Sequence, residues 1–341
     1  MNPDKTVKIG LIGAGAIGSF HGESIARRVH GAQLAAIADP AAEAAQRLAE
    51  RLHCASATTD ARQIIADPAI DAVIIATPAR FHSELIVMAA EAGKAVFCEK
   101  PMALTIAEAD RAIAAARAAK VPLQVGFNRR YDKAWSEAQR SVAAGALGTP
   151  QLLRSLTRDP GLADPARVPP WAIFLETLIH DFDTLRFFNP GSEVVEVYAI
   201  ADALVRPDFK SRGLLDTALV SLRFDNGAMA CAEANFQAAY GYDVRGEVFG
   251  SGGMIKMGDV RCSNATHFGA NGINSPTTRL NTDLFHDAYT AQLAEFVETI
   301  HSGQVRGPTG EAARAALAIA LACIRSVAEA RPVRLTEVLP A

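Results

Sequence analysis

The stretch Val7-Lys-Ile-Gly-Leu-Ile-Gly-Ala-Gly-Ala-Ile-Gly18 decides the fold. It opens as a short apolar run, which is how a strand buried on both faces of a parallel sheet reads. It then breaks into Gly13-Ala14-Gly15-Ala16-Ile17-Gly18, a G-x-G-x-x-G turn, and a helix is expected from Ala16 to Val29. Gly13 permits the tight turn, Gly15 leaves bare backbone that a pyrophosphate can approach, and Gly18 lets the helix lie on the strand. The helix N-terminus, around Ala16 and Ile17, offers free N–H groups and the positive end of its dipole to the phosphates.

Alone, this glycine pattern says little, but its surroundings are in register with it. A second apolar run, Gln33-Leu-Ala-Ala-Ile-Ala38, ends in Asp39, twenty-one positions after Gly18. The dinucleotide-binding fold places an acid there for the adenosine ribose hydroxyls. A carboxylate at that point repels a ribose phosphate, so NAD is expected rather than NADP. NADP stays open, because neighbouring residues can accommodate the phosphate.

The chain has 341 residues, half of them apolar, and a net charge of −3. That length suggests two domains, since single cores stop growing near about 250 residues. No basic block points to nucleic acid or to an anionic membrane surface. Met1-Asn-Pro-Asp-Lys runs straight into the first strand without a signal-like apolar region, and Ala315 to Ile324 is too short to span a bilayer. Cys54, Cys98, Cys231, Cys262 and Cys323 are scattered, with no C-x-x-C, so neither a disulfide framework nor a metal site is expected. A cytoplasmic protein is the reading.

Strand and helix alternate through the first third. Helices are expected over Pro40 to Leu52, Asp60 to Ala66, Phe81 to Ala92 and, capped by Thr105, onward to Lys120; strands over Asp71 to Ala76, Lys94 to Cys98 and Val121 to Val125. This rhythm means a doubly wound parallel sheet. Ligands of such sheets lie beyond the carboxyl ends of the strands. That rule selects Thr77, Pro78, Glu99, Lys100 and the turn at Asn128 and Arg129. Lys100 sits on a short turn between Glu99 and Pro101, aimed by its backbone; a merely solvated lysine is the alternative. His82 reads as a helix-start residue.

Past Tyr131 the rhythm changes. A helix from Asp132 to Ala144, a strand from Gln151 to Thr157, a Pro-rich loop from Gly161 to Pro170 and a helix from Trp171 to Phe188 are expected. Strand-like runs then follow one another: Val194 to Ile200, Thr217 to Phe224, Ala228 to Asn235, Val244 to Phe249 and Met254 to Met257, with Asp225-Asn226-Gly227 as a hairpin turn. They imply an α+β domain with a mostly antiparallel sheet. Asn264 to Asn281 carries no assignment, and helices over Asp283 to Ser302 and Gly310 to Ala330 close the chain. The division expected is 1–126 for the dinucleotide-binding domain and 127–341 for a substrate-binding and oligomerisation domain.

On the helix after Pro170, Glu176 and His180 stand at i and i+4, with Asp183 and Thr184 continuing the stripe. A carboxylate one turn from an imidazole can orient it and raise its pKa, which suits proton removal from an alcohol as hydride leaves the same carbon. The alternative is an exposed Glu–His pair of little consequence. The flanking Phe174, Leu175, Leu178, Ile179, Phe182 and Phe187 indicate burial, and polar residues in a buried helix need a reason.

Taken in order, Gly13-x-Gly15-x-x-Gly18, Glu99-Lys100-Pro101, Gly126-Phe-Asn-Arg-Arg-Tyr-Asp132, Ser155-x-x-Arg158-Asp159-Pro160, Ile179-His180-Asp181-Phe-Asp183 and Tyr240-Gly-Tyr-Asp243 resemble the family of glucose–fructose oxidoreductase and inositol 2-dehydrogenase. The likeness covers nearly the whole chain and is greatest to the inositol dehydrogenase branch. It implies a Rossmann domain plus an open-sheet domain, assembled as a homotetramer or dimer through that sheet. It implies Thr77, Pro78, His82, Glu99 and Lys100 as cofactor contacts beside the glycine turn and Asp39. It also implies Lys100 as the group that hydrogen-bonds the reacting oxygen, and His180 as general base, with Glu176 beside it. Arg129, Asp159, Thr177 and one of Tyr240 and Tyr242 would grip substrate hydroxyls.

Three departures from the inositol enzymes stand out: Glu176 where they resemble one another in having Asp, Trp171-Ala172 where they have a Gly-Gly pair, and Asn128 in place of an apolar residue. Trp171 could stack on a sugar ring or fill space. The expected activity is NAD-dependent oxidation of a secondary or anomeric hydroxyl of a cyclic polyol or sugar. Reduction of a keto-sugar or other cyclic ketone, and a dinucleotide-binding sensor without turnover, are the alternatives.

Overall fold

The computed structural model describes residues 6–162 and 164–339. The N-terminal Met1 to Lys5, and Ala163 in the Pro-rich loop, lie outside the described residues. The chain divides into two compact units, 1–128 with 287–314, and 129–286 with 315–341.

The first unit is built from β1 (Val7–Ile12), α1 (Ala16–Arg27), β2 (Ala32–Ala38), α2 (Ala42–Leu52), β3 (Ala57–Thr58), α3 (Ala61–Ala66), β4 (Ala72–Ile75), α4 (His82–Glu91), β5 (Ala95–Cys98), α5 (Ile106–Ala119) and β6 (Leu123–Val125). Its six strands are all parallel, in the order β3-β2-β1-β4-β5-β6. This is the strand order of the dinucleotide-binding fold, with the chain reversing direction beside β1. Local sequence sets the element ends. Thr105 and Glu108 form a reciprocal capping box at the start of α5, worth about 1 kcal/mol. Asp60 caps α3 through the Arg62 N–H.

The expected boundary fell at 126/127, with everything beyond it in one domain. The structure differs at the far end, where 287–314 return to the first unit. The reason is apolar: Leu293, Phe296, Val297 and Ile300 of the helix that returns join Ile9, Leu11, Ile25, Ile37, Ile74 and Phe97 in one core. Phe296 meets Phe97 edge-on, with ring centroids 5.8 Å apart. Burying such a side chain stabilises by about 1.5–3 kcal/mol.

The second unit contains α6 (Lys133–Ala143), β7 (Pro150–Arg158), α7 (Ile179–Phe187), β8 (Val194–Asp202), β9 (Thr217–Phe224), β10 (Met229–Asn235), β11 (Asp243–Gly250), β12 (Gly253–Met257), β13 (His267–Gly269), β14 (Gly272–Asn274) and α8 (Asn281–Leu284). After it the chain forms α9 (His286–Ser302), α10 (Gly310–Glu329) and β15 (Val333–Arg334). The large sheet runs β12-β11-β7-β10-β9-β8-β15, antiparallel throughout except where β7 meets β10. Asp225-Asn226-Gly227 joins β9 to β10, with Gly227 at φ 88°. The unassigned stretch 264–281 holds the β13–β14 hairpin, whose paired Phe268 and Ile273 are exposed. The helix expected from Asp283 is two helices, α8 and α9.

The single helix expected from Trp171 to Phe188 is also composite. Ile173–Leu178 is a π-helical turn that passes into α7. Wide turns of this kind are rare and recur at functional sites. Along β7, Leu153, Ser155 and Thr157 face inward while Leu152, Arg154 and Arg158 face outward, the period of two that a half-covered sheet requires. No helix among the described residues is long and apolar enough to cross a membrane.

Candidate functional site

The glycine turn is as tight as its sequence demands. Gly13 has φ 105°, and a Cβ there would lie 2.5 Å from the Ala76 carbonyl oxygen. A Cβ on Gly18 would sit 2.0 Å from the Gly13 carbonyl oxygen, so α1 can approach β1 only at a glycine. Gly15, the N-cap of α1, is different: beyond its chain neighbours and its own helix, no described residue lies within 4 Å of where its Cβ would be. The space is free for a ligand, in front of N–H groups that have no intrahelical acceptor.

Asp39 closes the other side of this loop. Its carboxylate accepts from the Ala14 N–H at 2.8 Å and the Ala41 N–H at 2.9 Å. A cleft of about 350 Å³ opens beside it, lined by Gly13, Asp39, Arg62, Thr77, Phe81 and Met88 among others. The buried Thr77 hydroxyl has no hydrogen-bond partner among the described residues. A bare-backbone loop at a helix N-terminus, an acid at the end of the second strand and an unsatisfied hydroxyl at the end of β4 together fit a dinucleotide.

His82 is 1 % exposed, and both its ring nitrogens meet backbone carbonyls, Pro101 O at 2.8 Å and Thr77 O at 2.7 Å. The ring therefore ties the turn after β4 to the turn that carries Lys100. Burial lowers its pKa, against the pull of the two carbonyls and of the Glu99 charge. Glu99 is itself buried, and its Oε1 lies 2.7 Å from Nε2 of His21, a wholly buried residue of α1. Its other oxygen accepts from the Lys100 N–H at 3.3 Å. Gly126 leaves room for this carboxylate, since a Cβ there would come within 2.8 Å of it. Burial alone would raise the Glu99 carboxyl. The His21 hydrogen bond, with the electrostatic pull of His21 and of the Lys100 charge, outweighs that and holds it below the ordinary carboxylate range.

In the second unit the polar residues sort by depth. Glu176, Thr177 and His180 are half-buried on the π turn and the start of α7, while Asp181, Asp183 and Thr184 are buried. Asp183 and Thr184 therefore do not continue the Glu176–His180 stripe. Asp181 is the hub of a buried network: it accepts from Arg129 at 2.8 Å, Ser155 at 2.5 Å and Thr157 at 2.7 Å. Arg129 also donates to Thr157 at 2.6 Å. One residue on, Arg130 clamps Asp183 with two hydrogen bonds, at 2.8 and 2.5 Å. Two successive Arg–Asp pairs thus fix the 128–131 turn against α7.

Asp159, just past β7, hydrogen-bonds Tyr242, and Arg129 lies close to Tyr242. Burial, with Asp159 beside it, pushes the Tyr242 hydroxyl above the ordinary tyrosine range, so it stays protonated as a donor. Tyr240 is placed elsewhere: it is exposed and donates to Asp243 at 2.7 Å, beside Arg158. Of the tyrosine pair, Tyr242 joins Arg129 and Asp159. The buried Asp181 network was not anticipated from sequence. Its signal was present in Ser155 and Thr157, two polar residues at the inward positions of a strand that alternates inward and outward.

A parallel sheet of this order, with the glycine turn and Asp39 at its switch point, defines a dinucleotide-binding domain. The chain belongs to the oxidoreductase family with an NAD-binding Rossmann fold, whose model matches residues 7–127, and the GFO/IDH/MocA C-terminal domain matches residues 135–256. It is 37% identical to the myo-inositol 2-dehydrogenase of Thermotoga maritima, over 98% of this chain and 100% of that protein. It is 34% identical to the scyllo-inositol 2-dehydrogenase (NAD(+)) of Bacillus subtilis, over 96% of each. Among solved structures, scyllo-inositol dehydrogenase from Lactobacillus casei with bound NAD(H) and scyllo-inositol superposes with a TM-score of 0.90 at 30% identity, covering 97% of this chain and 100% of that one.

The lowered Glu99 carboxyl ties stability to pH with a definite sign. A depressed folded value adds stability above the unfolded value, about 4.3, and that stability is lost as pH falls through the folded value. In thermal melts from pH 7 to pH 3, Glu99→Gln is expected to melt below the wild type at neutral pH and to converge on it in acid. A gap that stays constant with pH would contradict an ionised Glu99 carboxylate held by these contacts.

Proposed function

We propose that this chain oxidises a secondary or anomeric hydroxyl of a cyclic polyol or sugar, with NAD as acceptor. The observation that carries the reading is the Arg129–Asp159–Tyr242 group, anchored by the buried Asp181 network. It offers a fixed cation, a carboxylate and a protonated phenol, the donors and acceptors that a ring of vicinal hydroxyls requires. The named activities of the inositol dehydrogenase relatives support the same substrate class.

Bound NAD supplies the hydride-accepting nicotinamide ring. Gly13, Gly15, Ala16, Ile17 and Gly18 cradle its pyrophosphate, and Asp39 takes the adenosine ribose hydroxyls and repels a ribose phosphate, so NADP is the poorer acceptor. Thr77, Pro78 and Glu99 flank the cofactor, and His82 braces the turns that bear Thr77 and Lys100. Lys100 hydrogen-bonds the reacting oxygen and stabilises the negative charge that develops there. His180 takes the hydroxyl proton, and Glu176, four residues earlier, orients the imidazole. Arg129, Asp159, Thr177 and Tyr242 hold the remaining hydroxyls.

The outer sheet face supports a self-association reading. Ile200 pairs with Leu219, and Met229, Leu152, Phe249 and Met254 lie side by side across four strands, all exposed. A patch of this kind marks an association surface, and the occupant we propose is a second copy of the chain in a homo-oligomer. The five free cysteines accord with a reducing, cytoplasmic setting.

Initial rates on a panel of inositols, aldoses, anhydrosugars and deoxy-sugars test the chemistry. Lys100→Met and His180→Ala should each lower kcat by about 100-fold or more on the best substrate, the usual worth of a positioned acid or base. NAD affinity should stay within a few-fold. Near-normal turnover of either variant would refute the assigned roles. Light scattering tests the assembly: Leu219→Glu is expected to reduce the mass of the oligomer, and an unchanged mass would exclude this face.

A further inference from the structure

Four non-glycine residues among those described have a left-handed backbone: His53, Lys120, Trp171 and Ala330. His53 and Lys120 cap the C-termini of α2 and α5, and Ala330 directly follows α10. Helices commonly end in that conformation. Trp171 has φ 62° at the opposite place, the entry to a helix. Its N–H donates to Gly213 O at 3.0 Å, and its carbonyl accepts from Phe174 at 2.9 Å and Leu175 at 3.1 Å. The backbone is thus pinned on both sides, holding a bulky residue where glycine would be at ease. Such strain concentrates at functional positions.

The side chain is not simply packed away. Its ring lies beside Phe174, with centroids 6.4 Å apart and a 30° tilt, yet Phe174 is fully buried and Trp171 is not. The half-buried residues that follow are Leu175, Glu176, Thr177 and His180, in a segment whose other residues through Leu185 are buried. Leu175, Glu176 and His180 come four, five and nine residues after Trp171. Glu176 and His180 stand four residues apart on the helix that opens with this wide π turn. Trp171 directly precedes that turn, next in the chain to the half-buried residues that include the proposed general base.

We propose that Trp171 is a specificity-determining residue, whose indole face packs against the C–H face of the substrate ring. The left-handed backbone sets the direction of that side chain. This rests on the polyol-oxidising reading and narrows it. The preferred substrate is a closed six-membered ring with equatorial hydroxyls and axial hydrogens, since only such a ring presents a flat apolar face to an aromatic surface. Open-chain polyols lack that face and are poor substrates.

The experiment compares the wild type with Trp171→Gly and Trp171→Phe. The glycine variant should melt no lower than the wild type, because glycine adopts this φ freely. Its KM for a ring polyol should rise about tenfold, the size of one aromatic contact, with kcat within about threefold and the preference over open-chain polyols reduced. A second readout needs no turnover. The only other tryptophan, Trp135, is 2 % exposed. With NADH bound, a ring polyol should change the tryptophan emission of the wild type and leave that of Trp171→Phe unchanged. A glycine variant that melts lower by about 5 °C with KM unchanged would make Trp171 a packing residue and overturn the inference. An emission that ignores the polyol in the wild type would do the same. Silence of the wild type across the substrate panel counts against the proposed function instead, and the emission measurement still decides Trp171.

Discussion

Helix α1 can lie against strand β1 only because Gly18 carries no side chain: a Cβ there would fall 2.0 Å from the Gly13 carbonyl oxygen. Much of the first unit follows from that approach. It brings the helix N-terminus to the end of β1, where the strand order reverses, and aims its free N–H groups at the space in front of Gly15. It also sets Ala14 where its N–H reaches Asp39, so the loop and the end of β2 hold one another. The same helix carries His21 inward to Glu99, which links the phosphate loop to the turn of Lys100 through a single buried hydrogen bond. The glycine turn and the lysine turn are thus parts of one rigid arrangement.

The second unit meets a different constraint, the cost of burying charge. Arg129 and Asp181 are almost completely withdrawn from water, and so is Asp183. Breaking such a pair by removing one partner costs about 3–5 kcal/mol, whereas the intact pair adds little net stability. The pairs are better understood as setting geometry. They join the 128–131 turn, β7 and α7, the elements that carry Arg129, the approach to Asp159, and His180. The hydroxyl donors Ser155 and Thr157 bring bonds to both oxygens of Asp181, which keeps the carboxylate from being stranded.

The parts of this molecule that were legible in the sequence are those fixed by local rules. Apolar runs separated by helices specify a parallel sheet, and Gly13, Gly15 and Gly18 have one shape in which all three are needed. Thr105 announced the start of α5, and Asp225-Asn226-Gly227 announced the β9–β10 turn. What escaped depends on partners distant in sequence. Asp181 follows His180 in the chain, and only the fold shows that it turns inward to Arg129. The hairpin at 267–274 is short and exposed, with too little apolar alternation to signal a strand. The return of 287–314 to the first unit is decided by Phe296 meeting Phe97, a contact across nearly 200 residues. The π turn has no signature in composition, because it differs from an α-helix by one residue in the hydrogen-bond ladder. Among the site residues, Tyr240 and Tyr242 were equivalent on paper. They separate once Tyr242 is seen bonded to Asp159 and Tyr240 to Asp243.

The central claim is that a ring carbon of a cyclic polyol gives its hydride directly to the nicotinamide of NAD. Isotope transfer tests it most directly. The protein would be incubated with NAD and with inositols and pyranoses deuterated on their ring carbons, and the reduced cofactor examined by proton NMR. The account predicts one deuterium at the nicotinamide C4 position, on a single face, for the substrate that turns over. Reduced cofactor carrying only protium at C4, or none formed from any ring substrate while NAD is bound, would contradict it.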